Sequence, residues 1–242
     1  TYRMFSGSSF NIPIGSWNVS KVSNMQEMFS GAWAFNQPLN NWNVSNVTNM
    51  NSMFDGASSF NQPLNTWDVS NVTNMGNMFN YAFDFNQDIS GWDVSKVTTF
   101  RWMFRYCDAF NQPIGNWNTS SATNMAGMFE GTPFNQDISS WDVSHVTNME
   151  SMFLLSSSFN QDISSWDVSS VANMSRVFEW SVFNQPLDLW DTSSATTMSG
   201  MFMYNDDFNQ DISSWDTSNV TNMANMFNSA NNFDQNISNW DV

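Results

Sequence analysis

The sequence is poor in positive charge and in the residue types that usually carry catalysis. Six Lys and Arg stand against 22 Asp and Glu in 242 residues, a formal charge of −16. Lys and Arg are what displace counterions from a polyphosphate, so this balance argues against nucleic acid and anionic lipid as partners. A single cysteine, Cys107, allows no internal disulfide, leaves the redox compartment open and reads as a buried thiol. The one histidine, His145, falls at a repeat position filled elsewhere by Lys, Asn or Ser and reads as an exposed substitution. There is no Gly-rich phosphate loop, Cys/His ligand cluster or nucleophile elbow, and the carboxylates recur periodically rather than as one pair in contrasting environments. The expectation is therefore a protein that is not an enzyme. No apolar run nears the roughly 18 residues that a membrane-spanning helix needs, so no direct membrane insertion is expected, and no secretory leader opens the sequence.

What is present is aromatic and repetitive. With 13 Trp and 22 Phe the chain can bury a large apolar surface despite its low charge. Anchoring on Trp17, Trp42, Trp67 and their successors to Trp240 gives ten copies spaced by 25 residues, with two intervals of 24. Both short intervals fall in one loop, where "EGTPFNQ" and "EWSVFNQ" have lost a residue against "DGASSFNQ". The consensus is F-N-Q-(P/D)-(I/L)-x-x-W-(D/N)-(V/T)-S-x-V-x-N-M-x-x-M-F. Trp42 and Val44 share strand parity, so x-W-D-V-S reads as a short parallel strand with Trp and Val inward and Asp outward. Val47, Met50, Met53 and Phe54 step by three, three and one, which reads as one or two turns of α or 3₁₀ helix. Thr147 with Glu150 reads as a capping box at its start and Ser144 as another N-cap. The "NQ" pairs, Asn61 and Gln62 for example, are expected to stack as buried hydrogen-bonded ladders. The fold expected is an α/β repeat solenoid of about ten 25-residue repeats with one short strand and one short helix each, a single unit over residues 1–242. Neither end carries a polar cap, so the chain reads as a segment of a longer one.

The pattern I-x-x-W-x-V-S-x-V-x-x-M-x-x-M-F followed by S-F-N-Q resembles the leucine-rich-repeat variant of BspA-like bacterial surface proteins, in its "W-D-V-S-N-V-T-N-M" branch. The resemblance covers the whole chain. It implies a right-handed leucine-rich-repeat-like stack on an extracellular or cell-surface protein, a role in adhesion, and no catalytic residues.

Two candidate sites follow. The outward carboxylates Asp142, Asp167, Asp191 and Asp216, preceded by Asp68 and Asp93, form a column that reads either as a row of Ca²⁺ ligands or as solvated groups holding local hydrogen bonds, the second being favoured. Ca²⁺ is the one candidate cofactor. The second site is a departure from the consensus, "SKVTTFRWMFRYCDAF". Lys96, Arg101 and Arg105 hold half of the basic residues there, and Trp102 and Tyr106 accompany them at i, i+4 on a shared helical edge. Tyr81, Trp180 and Tyr204 recur at the position of Tyr106. Tyr, Trp and Arg favour binding hot spots, so this spot reads as a contact for a protein partner or a host or neighbouring surface, with cation–π packing between repeats as the bland alternative. Glycan stacking is disfavoured because the strand Trps point inward. The sequons at Asn46, Asn71 and Asn219 follow from the repeat consensus. The leading function is a non-catalytic surface binding or adhesion module; the alternative is a structural repeat that self-associates into a sheath or filament.

Overall fold

Each repeat forms one rung of a stack, and the rung is made of turns. The computed structural model describes residues 2–241, so the chain ends at Thr1 and Val242 lie outside the described residues. In the rung from Met50 to Val72, backbone bonds from i+3 to i close six turns: Met53 N–H to Met50 O, Asp55 to Ser52, Ala57 to Phe54, Phe60 to Ala57, Trp67 to Leu64 and Val72 to Val69. Ser52 (φ 54°) and Gly56 (φ 68°) occupy the third positions of two of these turns, where a type II turn requires positive φ. Reversing φ there aims alternate N–H groups out of the rung. Met50, Ser52, Phe54 and Gly56 donate to the carbonyls of Asn74, Gly76, Met78 and Asn80 in the next rung, at 2.7–3.0 Å. A return bond runs from Thr73 N–H to Thr48 O, and isolated parallel bridges continue this column from Asn24 to Asn222.

This corrects the expected architecture. Among the described residues there is no helix and no strand longer than a bridge, so the chain is not an α/β solenoid with a strand and a helix per repeat. The three-residue step of Val47, Met50, Met53 and Phe54 is real, but consecutive turns produce it as well as a helix does. A helix would bond each N–H four residues back within the rung, whereas here alternate N–H groups leave for the neighbour. The capping box is likewise absent: Thr147 Oγ1 donates to Thr123 O in the preceding rung, and Ser144 Oγ bonds Asp142. The x-W-D-V-S segment is no strand because its Asn or Asp folds the backbone locally. Asn43 Oδ1, for instance, accepts the Ser45 N–H at 3.1 Å and the Ser45 hydroxyl at 2.7 Å.

The side-chain orientation predicted for that segment does hold. The tryptophans of that segment from Trp42 to Trp215, at intervals of 24 or 25 residues, are buried, as are Val44, Val69 and Val94, while Asp68 and Asp93 face water. Indoles stack rung on rung, Trp117 on Trp141 at 6.4 Å and Trp141 on Trp166 at 6.5 Å. Each buried indole N–H also has an acceptor in the preceding rung, as Trp67 Nε1 has in Leu39 O at 3.0 Å. Two Phe columns stand beside them, paired within a rung (Phe54 and Phe60, 4.0 Å) and stacked between rungs (Phe54 and Phe79, 5.6 Å). Cys107 lies wholly buried in a column of small side chains, after Ala57 and Ala82 and before Thr132 and Ser156, its thiol donating to Ala82 O, and burial pushes its pKa well up. In the loops that are one residue short, the Ser8, Thr132 and Ser181 hydroxyls donate to Phe5 O, Phe129 O and Phe178 O and accept the Phe10, Phe134 and Phe183 N–H, in place of the turn that the missing residue would have made.

The Asn–Gln ladder runs unbroken from Asn11 to Gln235, each Asn Oδ1 accepting both the backbone N–H and the Gln amide of the next rung. Its members are half-buried or exposed rather than buried as expected. Only the oxygen is used along the ladder, so the substitution pattern is specific. Asn111 accepts from Asn135 N–H and Gln136 Nε2 at 3.0 Å each. Asn111→Ala is expected to cost about 1–2 kcal/mol, two ordinary hydrogen bonds, and Asn111→Asp much less, as read by urea denaturation.

Candidate partner-binding face

The outward Asp column resolves into a series of local turns. Asp68 Oδ1 accepts the Ser70 hydroxyl at 2.6 Å and its N–H at 3.1 Å; Asp142 does the same with Ser144, and Asp167 with Ser169. Asp191 and Asp216 accept the Ser193 and Ser218 N–H. Among the described residues no group of three or more His, Cys, Asp or Glu is placed to hold a metal ion. The Ser70 and Ser144 hydroxyls, and after them the backbone N–H groups, hold Asp68 and Asp142 below the usual carboxylate range. A depressed folded pKa contributes stability that is present above the unfolded value, near pH 4, and is lost as pH falls through the folded value. Melting temperature should therefore drop on acidification from pH 5 to pH 3, and drop less in a Ser70→Ala/Ser144→Ala variant. The sequon amides are engaged in the same region: Asn46, Asn71 and Asn219 Nδ2 donate to Ser20, Ser45 and Ser193 carbonyls. His145 is exposed beside the Ser144 hydroxyl.

The basic, aromatic repeat does assemble a cluster, though not on a helical edge. Trp102 and Tyr106 have φ of 56° and 50°, which a right-handed helix cannot contain. Their neighbours are instead reached across rungs. Tyr106 stacks on Tyr81 at 5.1 Å, and the Arg105 guanidinium lies within 5.5 Å of the Tyr81, Trp102 and Tyr106 ring centres. Arg101 lies 3.6 Å over Trp102. Arg105 also pairs with Glu130, Nε to Oε2 2.9 Å. Lys96 stands apart on the turn beside Asp93, its Nζ donating to Asn71 Oδ1 at 2.7 Å.

Glycines in the following rung make this cluster fit. A Cβ on Gly127 would overlap the Trp102 indole and one on Gly131 the Tyr106 ring. The Tyr106 position is the third residue of a turn that always has positive φ. Gly7, Gly31, Gly56 and Gly131 meet that demand at no steric cost, whereas Tyr81, Tyr106, Leu155, Trp180 and Tyr204 meet it with φ of 50–57°. A side chain in this region costs roughly 1–2 kcal/mol, and bulky strained residues are a marker of function. Tyr81, Leu155, Trp180 and Tyr204 are also exposed, and Tyr106 is half-buried. Trp180 is 51% exposed and stacks on Tyr204 at 4.2 Å, and Leu155 is 41% exposed. Exposed aromatics are therefore present, and from the W-D-V-S series they include Trp17 alone among the described residues. The signal that would have found the strained column was the glycine at its equivalents 31, 56 and 131.

Between the two aromatic runs lies a hollow of about 180 Å³. Its floor is Ala126, with Arg101, Trp102 and Arg105 on one wall and Glu150 and Arg176 on the other. Three of the chain's four arginines thus meet at one place on an acidic molecule.

The family model described as "Mycoplasma protein of unknown function, DUF285" matches the chain three times, over residues 1–113, 82–186 and 179–242. No curated protein matches the chain. The crystal structure of an internalin from Listeria monocytogenes aligns over 88% of this chain and 76% of that one at 9% identity. Its TM-score is 0.20, a likeness that carries no argument about fold or role.

Proposed function

We infer that this chain, which belongs to the family described as Mycoplasma protein of unknown function, DUF285, is a non-catalytic repeat protein that binds a protein partner through its column of strained, exposed aromatics. The observation that carries the reading is the column itself: five bulky side chains held at positive φ where Gly7, Gly31, Gly56 and Gly131, and the small Ser229, fill the same turn elsewhere. Core packing does not account for that choice, since none of the five lies in the buried core. Binding does, because Tyr, Trp and Arg concentrate interface energy and the turn holds them rigid. Tyr81–Tyr106 and Trp180–Tyr204 form two stacked platforms three rungs apart, roughly 14 Å at ordinary strand spacing. The resemblance of the repeat to BspA-like surface proteins supports placing this contact at the cell surface, where adhesion is the natural use.

The test uses the turn's own preference. Tyr81→Gly/Tyr106→Gly and Trp180→Gly/Tyr204→Gly introduce the residue the backbone favours, so folding is expected to change by less than about 1 kcal/mol, the relieved strain offsetting the lost stacking. Beads coated with the chain should attach to animal-cell surfaces and lose that attachment by at least about tenfold in the glycine variants, as for loss of a hot spot. Folded variants that attach as well as the parent would remove the column from consideration. Sizing at rising concentration addresses the other reading: a monomer is expected, and concentration-driven oligomers would favour a self-assembling sheath or filament.

A further inference from the structure

We propose that the hollow between Trp102 and Arg176 binds a small zwitterion, an apolar L-amino acid, its carboxylate on the Arg101–Arg105 wall and its ammonium on the Glu150 wall. This does not rest on the aromatic column being a protein contact, because it concerns a different set of side chains and is tested on the isolated chain.

The hollow exists because one rung is deficient in side chain. Arg101 and Glu150 occupy the same register position two rungs apart, and the residue between them is Ala126. At the next register position Trp102 and Ser151 are separated by Gly127, over which the indole lies. Arg101 and Glu150 stand two rungs apart, roughly 9.6 Å along the stack, and neither forms an ion pair among the described residues; Glu150 Oε2 accepts one long contact, from Asn173 Nδ2 at 3.4 Å. The slot therefore presents a guanidinium and a carboxylate facing across a gap, each with charge left to satisfy.

The remaining charges reinforce that polarity. Arg101 is held in place by its stacking on Trp102. Beside it Arg105 is committed to its own partners, Nε to Glu130 Oε2 at 2.9 Å and Nη1 to the Tyr81 hydroxyl at 3.3 Å, so Arg101 is the cation of this wall that holds no ion pair. On the far wall Arg176 is paired with Glu179, and the charges of Glu130 and Glu150 also act on it. With Arg176 taken by Glu179 and Glu130 by Arg105, Glu150 is the carboxylate left without a cation on that wall, which favours an ammonium. A simple anion would meet Glu150, and a simple cation would meet Arg101. A ligand with both charges satisfies both walls. The Trp102 ring and Leu154 supply apolar surface for its side chain, and a hollow of about 180 Å³ admits one amino acid rather than a folded segment.

Calorimetric titration with L-leucine, N-acetyl-L-leucine and L-leucine methyl ester decides the matter. Leucine should bind saturably, and each derivative, lacking one charge, should bind about tenfold more weakly or less, the size of one lost charge-assisted hydrogen bond. Arg101→Gln should lower leucine affinity by a similar factor without further weakening the ester, and Glu150→Gln should do the converse with the acetyl derivative. Both side chains are exposed, so folding should be intact, checked by melting temperature. No saturable heat at tens of millimolar leucine, equal binding of the three compounds, or variants that bind as the parent does would each overturn the proposal. None of these outcomes bears on attachment through Tyr81, Tyr106, Trp180 and Tyr204.

Discussion

Trp141→Ala is expected to cost about 4 kcal/mol and to break the unfolding transition in two. The indole is buried at mid-stack, packed between Trp117 and Trp166 and 6.0 Å from Phe129, with its N–H on Ile114 O at 3.1 Å. Removing a buried aromatic costs about 3–5 kcal/mol through lost transfer energy and the cavity left behind, and here a buried carbonyl also loses its donor. The second half of the prediction comes from the architecture. A stack in which each rung touches only its neighbours derives its cooperativity from rung-to-rung interfaces, so one weakened interface lets the two sides melt separately. The control is Trp240→Ala. That indole is only partly buried and stacks on one tryptophan, Trp215 at 6.1 Å, so about half the cost and a single transition are expected. Calorimetry of both variants checks this; equal costs, or one sharp transition for Trp141→Ala, would show that the Trp column does not carry the coupling between rungs.

That column was legible in the sequence because repetition exposes it: a tryptophan returning every 25 residues must meet its own copies. The Asn–Gln ladder was legible for the same reason, though not its exposure nor its cross-rung pairing, such as Gln87 Nε2 to Asn61 Oδ1 at 2.7 Å. The backbone was not, because periodicity constrains which residues face inward without saying how the chain carries them there. Met50, Met53 and Phe54 face inward from a helix or from linked turns alike, and choosing between them required noticing Gly56 and Gly131 at the sites now seen with φ of 68° and 69°. That misreading placed Arg101 and Trp102 correctly together but for the wrong reason, and it grouped Lys96 with a cluster it does not join. The hollow was invisible at sequence level, since Ala126 and Gly127 differ from other repeats only by what they lack.

Arg105→Met is expected to destabilise the protein by about 3 kcal/mol, and adding Glu130→Leu should restore most of it. The Glu130 side chain is 6% exposed and Arg105 26% exposed. Taking away the guanidinium leaves a carboxylate in the interior without its cation, which is far costlier than the pair itself is worth, whereas replacing both partners by apolar groups of similar volume is often near neutral. The stack contains its own precedent. One rung beyond Glu130 the same column position holds Leu154, 5% exposed and in no ion pair, and one rung further it holds Glu179 paired with Arg176. Leucine is thus already tolerated there. A double-mutant cycle read by urea denaturation should return a coupling well above the few tenths of a kcal/mol found between independent sites. A single Arg105→Met cost below about 1 kcal/mol would mean that Arg176, which already feels the Glu130 charge, swings over to take the vacated place. The doubly apolar variant would then serve a second purpose, for it keeps the fold while removing the guanidinium from the Tyr81, Trp102 and Tyr106 rings. Any attachment or leucine binding it loses is chargeable to the surface and not to unfolding.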